Sequence, residues 1–243
     1  MPVQAPPADD VHYVERILRL PHVYVPYAPV TGAPPVAPPP HLANGVVTLG
    51  GFHNPAKLND RVLALWSEVL IAVPHSRLLL IYRGLDTSEL GARIRGVFAA
   101  AGVDPGRIVL EGTLPHAELL AAYGRLDIAL DPFPYSGGVT TCEALWMGVP
   151  VVTMTGRTFA GRHATAYLRA VGLDELVAGD ERSYLEIVTR IATDSARLTV
   201  LRATLRARMA ASPLGDHPGY AAAFGAAVRG VWLQWCRASR ERD

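Results

Sequence analysis

The stretch DPFPYSGGVTTCEALWMGVPVVT, Asp131 to Thr153, decides the reading of this chain. Upstream of it, Asp127–Leu130 is a short apolar run that reads as a buried strand. The chain then passes Pro132 and Pro134, crosses Gly137-Gly138 and opens a helix near Thr140 that runs through Leu145–Met147. Gly148 and Pro150 close that helix, and Val149–Met154 is a second apolar strand. A strand, a glycine loop, a helix and another strand in under 30 residues is the βαβ unit of a parallel sheet.

The same alternation extends in both directions. Val46–Leu49, Leu78–Tyr82 and Arg107–Leu110 read as earlier strands, and Leu176–Ala178 as a sixth. Between them, Val62, Leu65, Trp66, Val69 and Val73 recur at helical spacing. Asp86 and Glu89 sit in N-cap and third-position roles for the next helix. Pro115 suits the first turn of a helix to Tyr123, and Phe159–Val171 reads as another. From Arg182 the chain reads as almost wholly helical, broken at Ser212-Pro213-Leu214. Apolar strands alternating with helices predict an α/β fold, a Rossmann-like doubly wound parallel sheet with a helical C-terminal tail. Ligands of such sheets bind at the carboxyl ends of the strands.

Residues 1–44 differ in kind. Val11–Leu20 reads as one or two helical turns, and Pro21, Pro26, Pro29, Pro34, Pro35 and Pro38–Pro40 follow. Proline at that density sustains neither helix nor ladder, so a linker lying extended over a surface is expected, with a domain boundary near Asn44. The 243 residues are 50% hydrophobic and 19% charged, with a net charge of +1. That balance gives no pull toward nucleic acid or an anionic membrane. No apolar run is long enough to span a bilayer, and the N-terminus does not read as a signal peptide. Two distant cysteines, Cys142 and Cys236, suit a reducing cytoplasmic setting rather than a disulfide framework. No two histidines share ligand spacing with a Cys or carboxylate, so no metal is expected.

The glycine loop carries the chemistry. A helix N-terminus approached through Gly137 and Gly138 makes an anion site from backbone N–H groups, to which Thr140 and Thr141 add hydroxyls. Glu143, one turn in, is placed to accept hydrogen bonds from a ribose. The same Thr140-x-x-Glu143 spacing also reads as a capping box that needs no ligand. Phe52-His53-Asn54-Pro55-Ala56-Lys57 follows the first strand. Lys57 near a helix start opposes the helix dipole unless an anion offsets it; the alternative is a solvated surface lysine. His116 lines a nucleotide pocket or is a first-turn surface histidine. Arg162 and His163 face the site or an exposed helix face. Trp232, Trp235 and Phe224 form a core or interface stripe.

Taken together, these motifs resemble the O-GlcNAc transferase-like proteins, glycosyltransferase family 41. The Asp131–Thr153 run is similar to the family's donor-site motif. Phe52-His53-Asn54 with Lys57 resembles its "FNN..K", Phe159–His163 its "FASRH", and Ser212-Pro213-Leu214 its "SPL". The likeness runs from about Val11 to Cys236, in order and at matching spacing. It implies the C-terminal lobe of a GT-B glycosyltransferase, with residues 1–44 a linker and remnant of the N-terminal lobe. It further implies UDP-GlcNAc as donor, protein Ser or Thr as acceptor, inversion at the sugar and no metal. Asn54 and Lys57 would contact the diphosphate, Lys57 stabilising the leaving group. Gly138, Val139 and Thr140 would supply donors, and Glu143 would meet the ribose. Departures are Val139 for threonine, Leu119 for histidine, His53 for asparagine and Ser136 for asparagine. The family's "GYVS.DF..H" segment, with a histidine near the acceptor, has no match. A partner is therefore expected: a protein acceptor, a separate N-terminal-lobe chain, or a second copy covering the Trp232 stripe. Two alternatives stay open, a non-catalytic binding module and a GDP-fucose-dependent transferase.

Overall fold

The computed structural model describes residues 3–86 and 89–240. Its six strands are β1 (Val47–Gly51), β2 (Ser76–Ile81), β3 (Ile108–Glu111), β4 (Ile128–Leu130), β5 (Val151–Met154) and β6 (Val177–Ala178). They pair in the order β3-β2-β1-β4-β5-β6, every pair parallel. This is the doubly wound arrangement expected from the alternation. The helices are α1 (His41–Asn44), α2 (Asp60–Ala72), α3 (Glu89–Ala100), α4 (His116–Ala122), α5 (Val139–Trp146), α6 (His163–Ala170), α7 (Glu181–Ala192), α8 (Ser195–Ala210) and α9 (His217–Arg240). Helix α2 packs against α3 and α7, and α5 packs against α6 and α8. The strands are accordingly buried on both faces, with Leu49, Leu78, Ile128, Leu130 and Val152 at no more than 1% exposure.

Strand order reverses between β1 and β4, which lie side by side: β1 leads outward to β2 and β3, β4 to β5 and β6. The loops leaving these two strands must diverge, and a crevice opens between them. On its other side β1 approaches β2 closely through Gly50, whose φ is +149° and whose Cβ, if it had one, would lie 1.9 Å from the Leu79 carbonyl oxygen. Asn59 ties the two loops together. Its side-chain oxygen caps α2 by accepting from the Val62 N–H, and its amide nitrogen donates to the Phe133 carbonyl at 2.7 Å.

The Pro-rich N-terminal segment is bound along its length. The Tyr27 N–H donates to the Leu214 carbonyl, and Arg206 donates to the Pro34 carbonyl. His41 bonds the buried Asp127 through Nδ1 at 2.7 Å. The helix expected within Val11–Leu20 does not form. A 3-10 turn, Pro7–His12, takes in only its first two residues, and residues 13–20 have no helix. The physical reason is that Val11, Val14 and Leu18 stay exposed, so no buried face supports a helix. The start of α3, expected at Asp86, partly lies outside the described residues. The C-terminal tail is helical as expected, broken at 211–216. No described helix is long and apolar enough to cross a membrane.

Candidate functional site

The loop after β4 is shaped by a buried carboxylate. Asp131 Oδ1 accepts from the Gly137 N–H at 2.6 Å, and Oδ2 accepts from the Thr153 hydroxyl at 2.6 Å. Burial pushes the Asp131 carboxyl up to about 7, against the pull of Thr153, the Gly137 N–H and the nearby Lys57. The loop therefore folds back at Gly137, where a Cβ would sit 2.3 Å from Thr141 Oγ1. Ser136 pins the other side: its hydroxyl donates to the Ala160 carbonyl and accepts from the Ala164 N–H, joining the loop to α6.

Helix α5 then starts at Val139 with Gly138 as N-cap and no side-chain cap, and no acidic residue in its first turn. The N–H groups of Gly138, Val139 and Thr140 have no protein acceptor among the described residues. They constitute the positive end of the helix, left open. The alternative capping box of Thr140 with Glu143 does not form, because Gly138 and not Thr140 is the N-cap, and Glu143 meets His116 Nε2 at 2.7 Å.

Lys57 comes from the loop after β1. Its ammonium donates to the Ser136 carbonyl at 2.9 Å and lies 4.2 Å from the centre of the Tyr135 ring. Burial lowers its pKa, and Asp131 opposes that shift. His53, fully buried, donates from Nε2 to the Leu130 carbonyl at 3.0 Å, because a carbonyl only accepts. Its Nδ1 is thus bare and faces the Thr140 hydroxyl at 3.4 Å. Burial, aided by the Lys57 charge, lowers the His53 pKa to about 4.

These pieces meet in one cavity of about 450 Å³ at the switch point, lined by His53, Asn54, Lys57, Gly138, Val139 and Thr140. Tyr24, Tyr135, His163 and Tyr167 complete its wall toward α6. A second cavity of about 460 Å³ shares Phe52, Tyr82 and Thr140 with it and extends over β2 to Leu114 and Leu119. The result is an elongated trough with an open helix N-terminus and an ammonium at its middle, suited to a diphosphate with a group at each end.

Five expected residues are placed differently. Arg162 is spent on the N-terminal segment: it pairs with Asp9 and donates to the carbonyls of Gln4, Gly156 and Arg157. Thr141, about 100° around α5 from Thr140, faces the core at 1% exposure, and its hydroxyl finds no partner. The Gly137 N–H is given to Asp131 and is not open to a ligand. His116 and Glu143 hold each other, Glu143 buried and His116 half exposed, outside the residues lining the two cavities. His163, paired with Arg162 in the sequence as a neighbour of equal standing, is the one that reaches the cavity. Tyr24 and Tyr135 gave no sequence signal, since neither lies on a periodic element.

Fold and crevice together define an open, doubly wound α/β lobe with an anion-receptive switch point. Among the described residues no group of three or more His, Cys, Asp or Glu side chains is arranged to hold a metal. The model of Glycosyl transferase family 41 matches residues 40–224, and the chain belongs to that family. It is 39% identical over 232 residues to the probable UDP-N-acetylglucosamine–peptide N-acetylglucosaminyltransferase SPINDLY of Petunia hybrida, covering 95% of this chain and 25% of the relative. The corresponding Caenorhabditis elegans UDP-N-acetylglucosamine–peptide N-acetylglucosaminyltransferase is 31% identical over 179 residues, 74% of this chain and 15% of that protein. A solved Thermobaculum terrenum O-GlcNAc transferase mutant superposes with a TM-score of 0.91 at 36% identity, over 98% of this chain and 45% of that one. The fold is thus that of a GT-B glycosyltransferase lobe. The chain spans about a quarter of the length of the first curated relatives.

Proposed function

We propose that this chain is the donor-binding lobe of a protein O-glycosyltransferase. It would hold UDP-GlcNAc for transfer of N-acetylglucosamine to a protein Ser or Thr hydroxyl with inversion. The observation that carries this reading is the juxtaposition of three unpaired N–H groups at the start of α5 with the Lys57 ammonium in one cavity. In such a transfer the acceptor oxygen attacks C1 of the sugar from the face opposite the diphosphate. The C1–O bond breaks and negative charge grows on the departing UDP. Preorganised amides and an ammonium stabilise that charge most where water is excluded. Lys57 is half-buried and has donors left after its bond to Ser136. The base would rest in the second cavity, beside Leu114 and Leu119.

Turnover needs a second lobe to present the acceptor. The exposed apolar face of α9, with Phe224, Val228, Val231, Trp232 and Trp235, is where that lobe, or a separate chain carrying it, would dock. Residues 1–44 would be the segment that leads to it. Titration calorimetry with UDP tests the reading. Wild type binds, and Lys57→Ala weakens binding about 10- to 100-fold, as loss of a charge-assisted hydrogen bond to phosphate should. A folded wild-type chain that binds neither UDP nor GDP would sink it.

A further inference from the structure

The wall of the cavity toward α6 holds a donor that the diphosphate grip does not use. His163 opens α6, is 7% exposed and lines the cavity. Its Nδ1 lies 2.9 Å from Nε2 of Gln4, a residue of the N-terminal segment that is itself 2% exposed. An amide nitrogen only donates, so Nδ1 is the acceptor and the ring proton sits on Nε2. No described residue accepts from that Nε2–H, and it is not among the atoms sealed away from solvent without a partner. The ring is clamped in place. Tyr24 stacks on it at 5.3 Å between centroids, and the edge of Phe159 meets it at 5.2 Å. Burial and the Lys57 charge lower its pKa, which keeps the imidazole neutral at pH 7.

Position along the trough says what this donor meets. The apolar second cavity lies over β2 at one end, and the α5 N-terminus with Lys57 sits in the middle. His163, which follows β5, stands at the other end. Taking the cavity as a nucleotide-sugar site, the group beyond the second phosphate reaches this wall. We infer that His163 is a further binding residue of the site, its Nε2–H donating to an oxygen of the transferred sugar, and that Gln4 and Tyr24 position it. An uncharged donor suits an uncharged hydroxyl or acyl oxygen, whereas the phosphates are served by amides and ammonium. The N-terminal segment, remote in sequence from every motif of the donor site, thereby helps to read the sugar.

The test separates sugar from nucleotide. In calorimetry on the full chain, His163→Phe keeps the stacking ring and deletes the donor. It should leave UDP affinity within about twofold of wild type and weaken UDP-GlcNAc about 3- to 10-fold, the range of one neutral hydrogen bond. His163→Gln, which retains an amide donor, should recover part of that loss. Gln4→Leu should weaken UDP-GlcNAc selectively too. In the free protein, ¹⁵N spectra of the His163 ring should show the Nε2–H tautomer in wild type and a mixture in Gln4→Leu. Equal losses for UDP and UDP-GlcNAc, or no loss for either, would overturn the assignment while leaving the donor-lobe reading intact. An Nδ1–H tautomer in wild type would overturn it without any ligand. Failure of wild type to bind UDP or GDP removes the donor-lobe reading and this assignment with it.

Discussion

His53 is a buried titratable group whose charge state the structure fixes, and a pH-dependent comparison exposes it. Its imidazole is buried in the wall of the cavity, donates its one ring proton to the Leu130 carbonyl and sits near the Lys57 ammonium. Folding lowers its pKa from the ordinary 6.5 to about 4. The folded chain therefore binds fewer protons than the unfolded chain between those values. The stability gained by keeping His53 neutral is complete above pH 6.5 and is lost as pH falls toward 4. With the pKa lowered from 6.5 to about 4, at about 1.4 kcal/mol per pH unit the loss tops out at about 3 kcal/mol and amounts to about 2 kcal/mol at pH 5. Asp131 acts in the opposite sense over the same window. Its folded pKa is raised to about 7, so it stabilises the fold as pH falls, and a bare pH profile would show the two nearly cancelling. The difference between wild type and His53→Asn removes the Asp131 contribution. Urea unfolding of both proteins at pH 7 and pH 5 is the assay. Whatever the offset at pH 7, the variant should gain about 2 kcal/mol on wild type at pH 5. A difference constant to within about 0.5 kcal/mol between the two pH values would refute the reasoning, since it would mean that the buried ring is not held neutral by its surroundings.

Two further outcomes follow from the geometry. Gly50→Ala forces a side chain against the Leu79 carbonyl in the central strand, and should cost about 3 kcal/mol or more in denaturant unfolding; an unchanged midpoint would show that β1 can shift. A thermal-shift comparison of UDP with GDP, each in excess, should favour UDP by mass action, and a larger shift with GDP would move the proposal to a guanine-linked donor.

Much of the fold is written locally in this chain. Runs such as Leu78–Tyr82 and Val149–Val152 are apolar throughout, because parallel strands are buried on both faces. The intervening helices show their buried stripes at Val62, Trp66 and Val69. Strand and helix periods are set by backbone geometry, so they survive in one dimension. The glycine loop before α5 was legible for the same reason, since two glycines between a strand and a helix are a local signal.

What the sequence left open was decided by contacts that cross the chain. Whether Thr140 with Glu143 makes a capping box depends on where α5 starts, and the loop held by Asp131 and Ala160 brings Gly138 to the N-cap, which leaves Glu143 to pair with His116 at 2.7 Å. Arg162 and His163 are adjacent and equally eligible in sequence. Only the N-terminal segment, folded back over 150 residues to offer Asp9 and Gln4, sends the arginine out and the histidine in. Thr140 and Thr141 differ by one step of helical phase, which puts one hydroxyl in the cavity and the other in the core. Periodicity fixes which residues can share a face. Which face meets which partner is settled by packing between distant segments, and that is a property of the folded molecule.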